Sequence, residues 1–168
     1  MTLWLVGMMG SGKSSAGALA AQHLGVSFVD IDEVIVADRG SSIPELWAES
    51  GERAFRELET AAIGRVAGTR AIVSTGGGAV LDPSNRYRMR TTGTVVWLRA
   101  RPEVLAGRLA EAGGDRPILD DHPDQGSRIA ELLEARTAAY DNAADYELDT
   151  SELSVEEVAM RIEELWLR

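Results

Sequence analysis

Leu3-Trp4-Leu5-Val6-Gly7-Met8-Met9-Gly10-Ser11-Gly12-Lys13-Ser14 joins four apolar residues to a glycine-rich turn and a lysine–serine pair. The apolar residues read as a strand, and the alanine-rich segment from Ser15 to Leu24 reads as a helix. Residues 7–14 match G-x-x-x-x-G-K-[ST], and strand, turn and helix start are the context in which that motif holds phosphate. Successive backbone N–H groups of Gly10, Ser11, Gly12, Lys13, Ser14 and Ser15 would then face one concavity, helped by the helix dipole. Lys13 would reach the outer phosphates and the Ser14 hydroxyl would sit on Mg²⁺. The plain alternative is a glycine turn with a surface lysine. Against it, Lys13 is the only lysine among 17 basic residues, the other 16 being arginine.

Outward from this motif the chain alternates. Further short apolar runs at Val26–Asp30, Ala71–Ser74, Thr94–Leu98 and Tyr146–Asp149 read as strands. Between and after them, helices are predicted at about 33–39, 43–49, 52–67, 102–112, 125–140 and 155–167, the last opened by a Ser154–Glu157 capping box. Strands alternating with helices predict an α/β fold, a parallel sheet covered on both faces. A chain of 168 residues suits one domain spanning 1–168. The segment 113–124, GGDRPILDDHPD, lacks periodicity and is either a surface loop or a lid; its arginine, Arg116, favours a lid.

Composition narrows the class. With 27 acidic residues the net charge is −10, which argues against a nucleic-acid partner. Cysteine is absent, so disulfides and thiolate metal sites are excluded. No apolar run reaches the roughly 18 residues of a membrane span, and the first ten residues, without a basic region, read as a strand rather than a signal peptide. The acids at 156, 157, 163 and 164 read as a solvated helix face.

Three further clusters carry candidate chemistry. Asp30-Ile31-Asp32 ends the second strand, where ligands of a parallel sheet collect, and an extended i, i+2 spacing would put both carboxylates on one side. One would hold water on Mg²⁺ while the other accepts a proton from a substrate hydroxyl; alternatively, Asp32 caps the next helix. Arg56 and Glu59 share a helix face, which pre-aims the arginine at a carboxylate or makes an exposed ion pair contributing under about 1 kcal/mol. Gly76, Gly77 and Gly78 follow the third strand, either as close backbone approach to a ligand or as a flexible turn.

Together GMMGSGKSS (7–15), DID (30–32), GERAFRELE (51–59), STGGGAV (74–80), DRPIL (115–119) and ARTAAYDNAADYELDTS (135–151) resemble the shikimate kinase family, in order over about residues 3–165. The phosphate loop alone fits many nucleotide-binding proteins; its combination with the other segments is far more selective. The resemblance implies a P-loop three-layer α/β/α sandwich with sheet order 2-3-1-4-5, substrate-binding helices at about 32–62 and a mobile lid at about 112–124. It also implies transfer of phosphate from ATP, with Mg²⁺, to the 3-hydroxyl of shikimate in a cytoplasmic monomer.

Residue by residue, Asp32 resembles the aspartate facing the reacting hydroxyl, and Asp30 the partner of Mg²⁺. Arg56 and Arg136 resemble the pair that clamps the carboxylate, and Gly76–Gly78 the pocket-lining glycines. Glu59 would support Arg56. Arg116 resembles the lid arginine over the phosphates, Arg108 an arginine on adenine, and Thr150–Val155 the loop closing the adenine site. Met8 and Met9 depart from the usual loop residues and are expected to matter little. Ser151-Glu152-Leu153 puts an acid near adenine, which implies weaker ATP binding. The rival readings are a kinase for another hydroxy acid such as gluconate, and a silent nucleotide-binding homologue.

Overall fold

A computed structural model describes residues 1–113, 119 and 124–168. Among them five strands form one parallel sheet, β1 (Thr2–Val6), β2 (Ser27–Asp30), β3 (Ala71–Ser74), β4 (Gly93–Arg99) and β5 (Tyr146–Asp149). Their order is β2-β3-β1-β4-β5, as the family resemblance implies. β1 is central and buried along its whole length. Alternate side chains of a strand face opposite ways, so Trp4 and Val6 enter one core while Leu3 and Leu5 enter the other.

The second core is closed by α1 (Lys13–Leu24) and by the helix that ends the chain, Val155–Trp166. Small residues at Ala16, Gly17, Ala20 and Ala21 form the buried side of α1, which lets the helix lie close to the sheet. The opposite face carries α2 (Ile31–Arg39), α3 (Ile43–Val66), α4 (Pro83–Thr92), α5 (Pro102–Ala112) and α6 (Gln125–Ala143), the C-terminal helix being α7. No helix among the described residues is long and apolar enough to cross a membrane.

Two local differences from the sequence reading have physical causes. The helices predicted at 43–49 and 52–67 run together as α3, kinked where Gly51 takes φ 76° and ψ 173°, a conformation only glycine adopts cheaply. The 3₁₀ turn Ala79–Leu81 and helix α4 have no counterpart in the prediction. α4 reads PSNRYRMRTT, with Met89 its one buried apolar side chain, so apolar periodicity carries no signal there. Its start was nonetheless written in Asp82-Pro83: the Asp82 side chain accepts from Ser84 N at 2.7 Å and proline occupies the first turn.

Candidate active site

The turn between β1 and α1 curls around its own lysine. Gly12, at φ 93°, holds the left-handed conformation that turns the following amides into the helix start. α1 begins at Lys13, two residues earlier than predicted, so Lys13 and Ser14 stand in its first turn, where backbone N–H groups lack helical partners. The Lys13 ammonium is buried and donates to the carbonyls of Gly7 at 2.9 Å and Met8 at 2.8 Å. Burial pulls its pKa down to about 8, against the attraction of Asp32 and Asp30. Below that pH it is a cation in the wall of a cleft of about 790 Å³ lined by residues 9–16, Asp30, Asp32 and Ser74–Gly77, among others.

Asp30 and Asp32 both face this cleft, but not from one extended strand. β2 ends at Asp30, which itself caps α2 by accepting from Asp32 N at 3.0 Å. Asp32 therefore lies inside the first helical turn, and the capping alternative belongs to Asp30. The other Asp30 oxygen accepts from the Ser14 hydroxyl at 2.6 Å, and Ser74 Oγ lies 3.3 Å from the same hydroxyl. These are hard oxygen donors beside a phosphate loop, the set that a Mg²⁺ ion carrying nucleotide phosphates and several waters requires. Among the described residues there is no cluster of three or more acids or histidines that could hold a metal alone. Asp32 Oδ1 is buried without a hydrogen-bond partner. Burial first, and then the Asp30 charge, raise its pKa above the ordinary aspartate value, against Lys13 and Arg56. A hard-to-ionise carboxylate that lines a cleft and has one unpartnered oxygen suits proton acceptance.

The glycine turn is where the two halves of the site meet. A Cβ on Gly78 would collide with the Arg56 guanidinium, and one on Gly76 with Glu59 Oε1. Arg56 donates to Glu59 Oε2 at 2.8 Å and to Glu52 Oε1 at 3.2 Å, and its guanidinium lies 5.9 Å from the Trp47 ring and 5.5 Å from Phe55. Glu59 is wholly buried, which corrects the exposed-pair alternative. Burial raises its carboxyl pKa, against the pull of Arg56; removing one partner of such a pair costs about 3–5 kcal/mol. Arg136, on α6, is also buried, and its Nη1 lies 3.8 Å from Met8 Sδ. Met8, which the sequence reading expected to matter little, is therefore a core residue touching the buried Arg136.

The far wall is tied by Arg101, which precedes α5, and by Arg108 within it. Arg108 lines the cleft and donates to Thr150 O at 2.6 Å, Thr150 Oγ1 at 3.1 Å and Gly10 O at 3.4 Å. Thr150 is buried, its hydroxyl 3.2 Å from Ser11 O. Glu152 points outward, 77% exposed, and pairs with Arg101 at 2.5 Å. Its charge is thus answered away from the cleft, which removes the reason to expect weakened ATP binding. Leu153, Val155 and Val158 give that wall its apolar surface. Arg116, with most of the proposed lid, lies outside the described residues.

The family model for shikimate kinase matches residues 9–166. The chain is 41% identical over 165 residues to the shikimate kinase of Symbiobacterium thermophilum, covering 98% of this chain and 95% of that one. It belongs to the shikimate kinase family. Its fold superposes on shikimate kinase from Acinetobacter baumannii in complex with shikimate with a TM-score of 0.91 and 32% identity, over 99% of this chain and 92% of the other. A gluconokinase from Sinorhizobium meliloti matches over 99% of this chain and 91% of its own, at a TM-score of 0.60 and 19% identity, a likeness of fold alone. Within this shikimate kinase fold the structure brings together Lys13, Ser14, Asp30, Asp32, Gly76, Gly77 and Arg108 on one cleft. Arg56, Gly78 and Arg136 cluster around the adjoining turn, and Thr150 lies behind the wall. Sequence reasoning missed Ser74, whose signal was its place at the carboxyl end of β3. It also missed the packing role of Met8, for which a loop position offers no periodicity.

Proposed function

We propose that this chain transfers the γ-phosphoryl group of ATP to the 3-hydroxyl of shikimate, in one domain spanning 1–168. The observation that carries the reading is the juxtaposition, at the carboxyl end of the sheet, of a phosphate loop with a buried lysine, a carboxylate with one buried unpartnered oxygen, and a turn packed against two arginines. Phosphoryl transfer asks for placement and charge neutralisation more than covalent chemistry. The loop amides and Lys13 hold the outer phosphates of ATP, with Ser15 completing the cradle and Arg116 adding charge from the lid. Arg56 and Arg136 grip the planar carboxylate of shikimate, and Gly76, Gly77 and Gly78 let the ring approach the backbone. Arg108 and Thr150 shape the adenine side.

Asp32 faces the 3-hydroxyl. The hydroxyl oxygen forms a bond to the γ-phosphorus, the bond from that phosphorus to the β-bridging oxygen breaks, ADP departs, and the hydroxyl proton passes to Asp32. Ser14 and Asp30 are the residues that would hold Mg²⁺, whose contribution is charge neutralisation on the phosphates. A monomer in the cytoplasm with no nucleic-acid partner completes the proposal.

The test is an ADP-release assay with ATP and Mg²⁺, comparing shikimate, quinate and gluconate. Turnover dependent on shikimate and far weaker with the other two is expected. Its absence at saturating shikimate would overturn the reading, and preference for gluconate would reassign the acceptor.

A further inference from the structure

Arg136 and Tyr140 stand one turn apart on α6 and both reach the glycine turn. Tyr140 is fully buried, its ring stacked on Trp97 with centroids 5.4 Å apart and planes 17° from parallel. Its hydroxyl donates to the Gly77 carbonyl at 2.5 Å. The carbonyls on either side are satisfied within the turn: Gly76 O accepts from Ala79 N at 3.1 Å, and Gly78 O from Leu81 N at 3.0 Å. Gly77 O is the one that reaches across to another element. Gly77 also lies beside the site's other elements: a Cβ there would stand in ordinary van der Waals contact, 3.5 Å from Arg136 Nη1, from Gly7 O and from Met9 N. Glycine peptides rotate with little steric cost, and a planar trans peptide points its N–H opposite to its carbonyl. Whatever holds Gly77 O therefore also aims the N–H of Gly78, the residue packed on Arg56.

We propose that Tyr140 is a positioning residue for recognition of the acid substrate: its hydroxyl locks the Gly77–Gly78 peptide in one orientation and fastens the glycine turn to α6, so that the Gly78 N–H and the Arg136 guanidinium meet the substrate as one rigid set. The inference rests on the reading of Arg56, Arg136 and the glycines as the shikimate site. The sequence hides this role, because Tyr140 continues the apolar stripe of α6 with Ile129, Leu132 and Ala143 and reads as core.

Tyr140→Phe keeps the ring against Trp97 and removes the hydroxyl, which donates to Gly77 O and is also hydrogen-bonded with the Arg136 side chain. The expected result is a rise of about tenfold in the KM for shikimate, with kcat and the KM for ATP each within about twofold. Arg136→Met serves as the control for the site reading. If Arg136→Met raises the KM for shikimate and Tyr140→Phe does not, the positioning role is overturned and the site reading stands. If Arg136→Met leaves that KM unchanged, the site reading fails and takes the inference with it. A Tyr140→Phe protein that does not fold, or that loses kcat and both KM values together, makes Tyr140 a general structural residue and also overturns the proposal.

Discussion

Asp32 is destabilising in the folded chain before any substrate arrives. Its carboxylate is buried beside Asp30, one oxygen has no partner, and its pKa is raised. The protonated form is favoured by the fold, so its stabilising contribution is present at low pH and is lost as pH rises through the raised value. Asp32→Asn keeps the shape and removes the charge. It should lower kcat by about 10²-fold while raising the melting temperature of the ligand-free protein by about 2–4 °C; steady-state kinetics and a thermal scan check the two signs. Lys13 shows the opposite pH limb. With its pKa near 8, Lys13 loses its charge in the free protein as pH rises through that value. The kcat/KM profile should therefore be bell-shaped, rising as Asp32 ionises and falling near pH 8. The alkaline limb of kcat itself should lie higher, because bound phosphates favour the charged ammonium. As the only lysine, Lys13 is also the only side-chain amine for an acylating reagent. Such a reagent above pH 8 should abolish activity, ATP should protect, and peptide mass mapping should place the lost adduct on Lys13 rather than on the N-terminus.

At the scale of elements, the glycine turn after β3 shows what spacing cannot convey. Three consecutive glycines were visible as permission for close approach; what approaches was not. The structure supplies the answer in the Arg56–Glu59 pair on α3, which fills the space that a side chain at Gly78 or Gly76 would need. Gly78→Ala should push the Arg56 guanidinium aside and raise the KM for shikimate by tenfold or more, with the KM for ATP within about twofold, measured by varying each substrate in turn. The backbone of the phosphate loop, by contrast, was legible, since local glycines dictate its conformation, whereas the packing of Met8 within it was not. Asp30 and Asp32 were found but misplaced, because the strand gives way to helix between them and the cap falls on the earlier residue. α4 was missed because a helix can be kept by one cap, one proline and one buried methionine when its neighbours supply the rest of the burial.

For the molecule as a whole, both anionic substrates must bind to a chain of net charge −10. They can do so because Lys13 and Arg136 are buried at the carboxyl end of the sheet, while acids elsewhere are answered by other arginines, as in Arg99–Glu147 and Arg101–Glu152. Two like-charged carboxylates, a desolvated lysine and a buried glutamate are gathered there by the fold. Ligands that bind only the folded state should then stabilise it: ATP with Mg²⁺ at about 100 times its Kd contributes ~2.7 kcal/mol, a rise of about 5–10 °C in melting temperature. A thermal scan with and without nucleotide checks this, and no shift would deny the cleft its nucleotide.

Sequence alone determined the phosphate loop, the alternation of strands and helices, and the identity of nearly every residue proposed for chemistry. Those features are local: they depend on glycine conformations, on periodicity and on neighbours a few residues away. Only the tertiary structure decided that Glu59 is buried and not exposed, that Met8 touches Arg136, that Glu152 turns away from the cleft, and that Tyr140 holds the carbonyl of Gly77. Each depends on which residues distant in the chain the sheet order brings together, and on how far burial removes their polar groups from water. Neither is written in any single stretch of the chain.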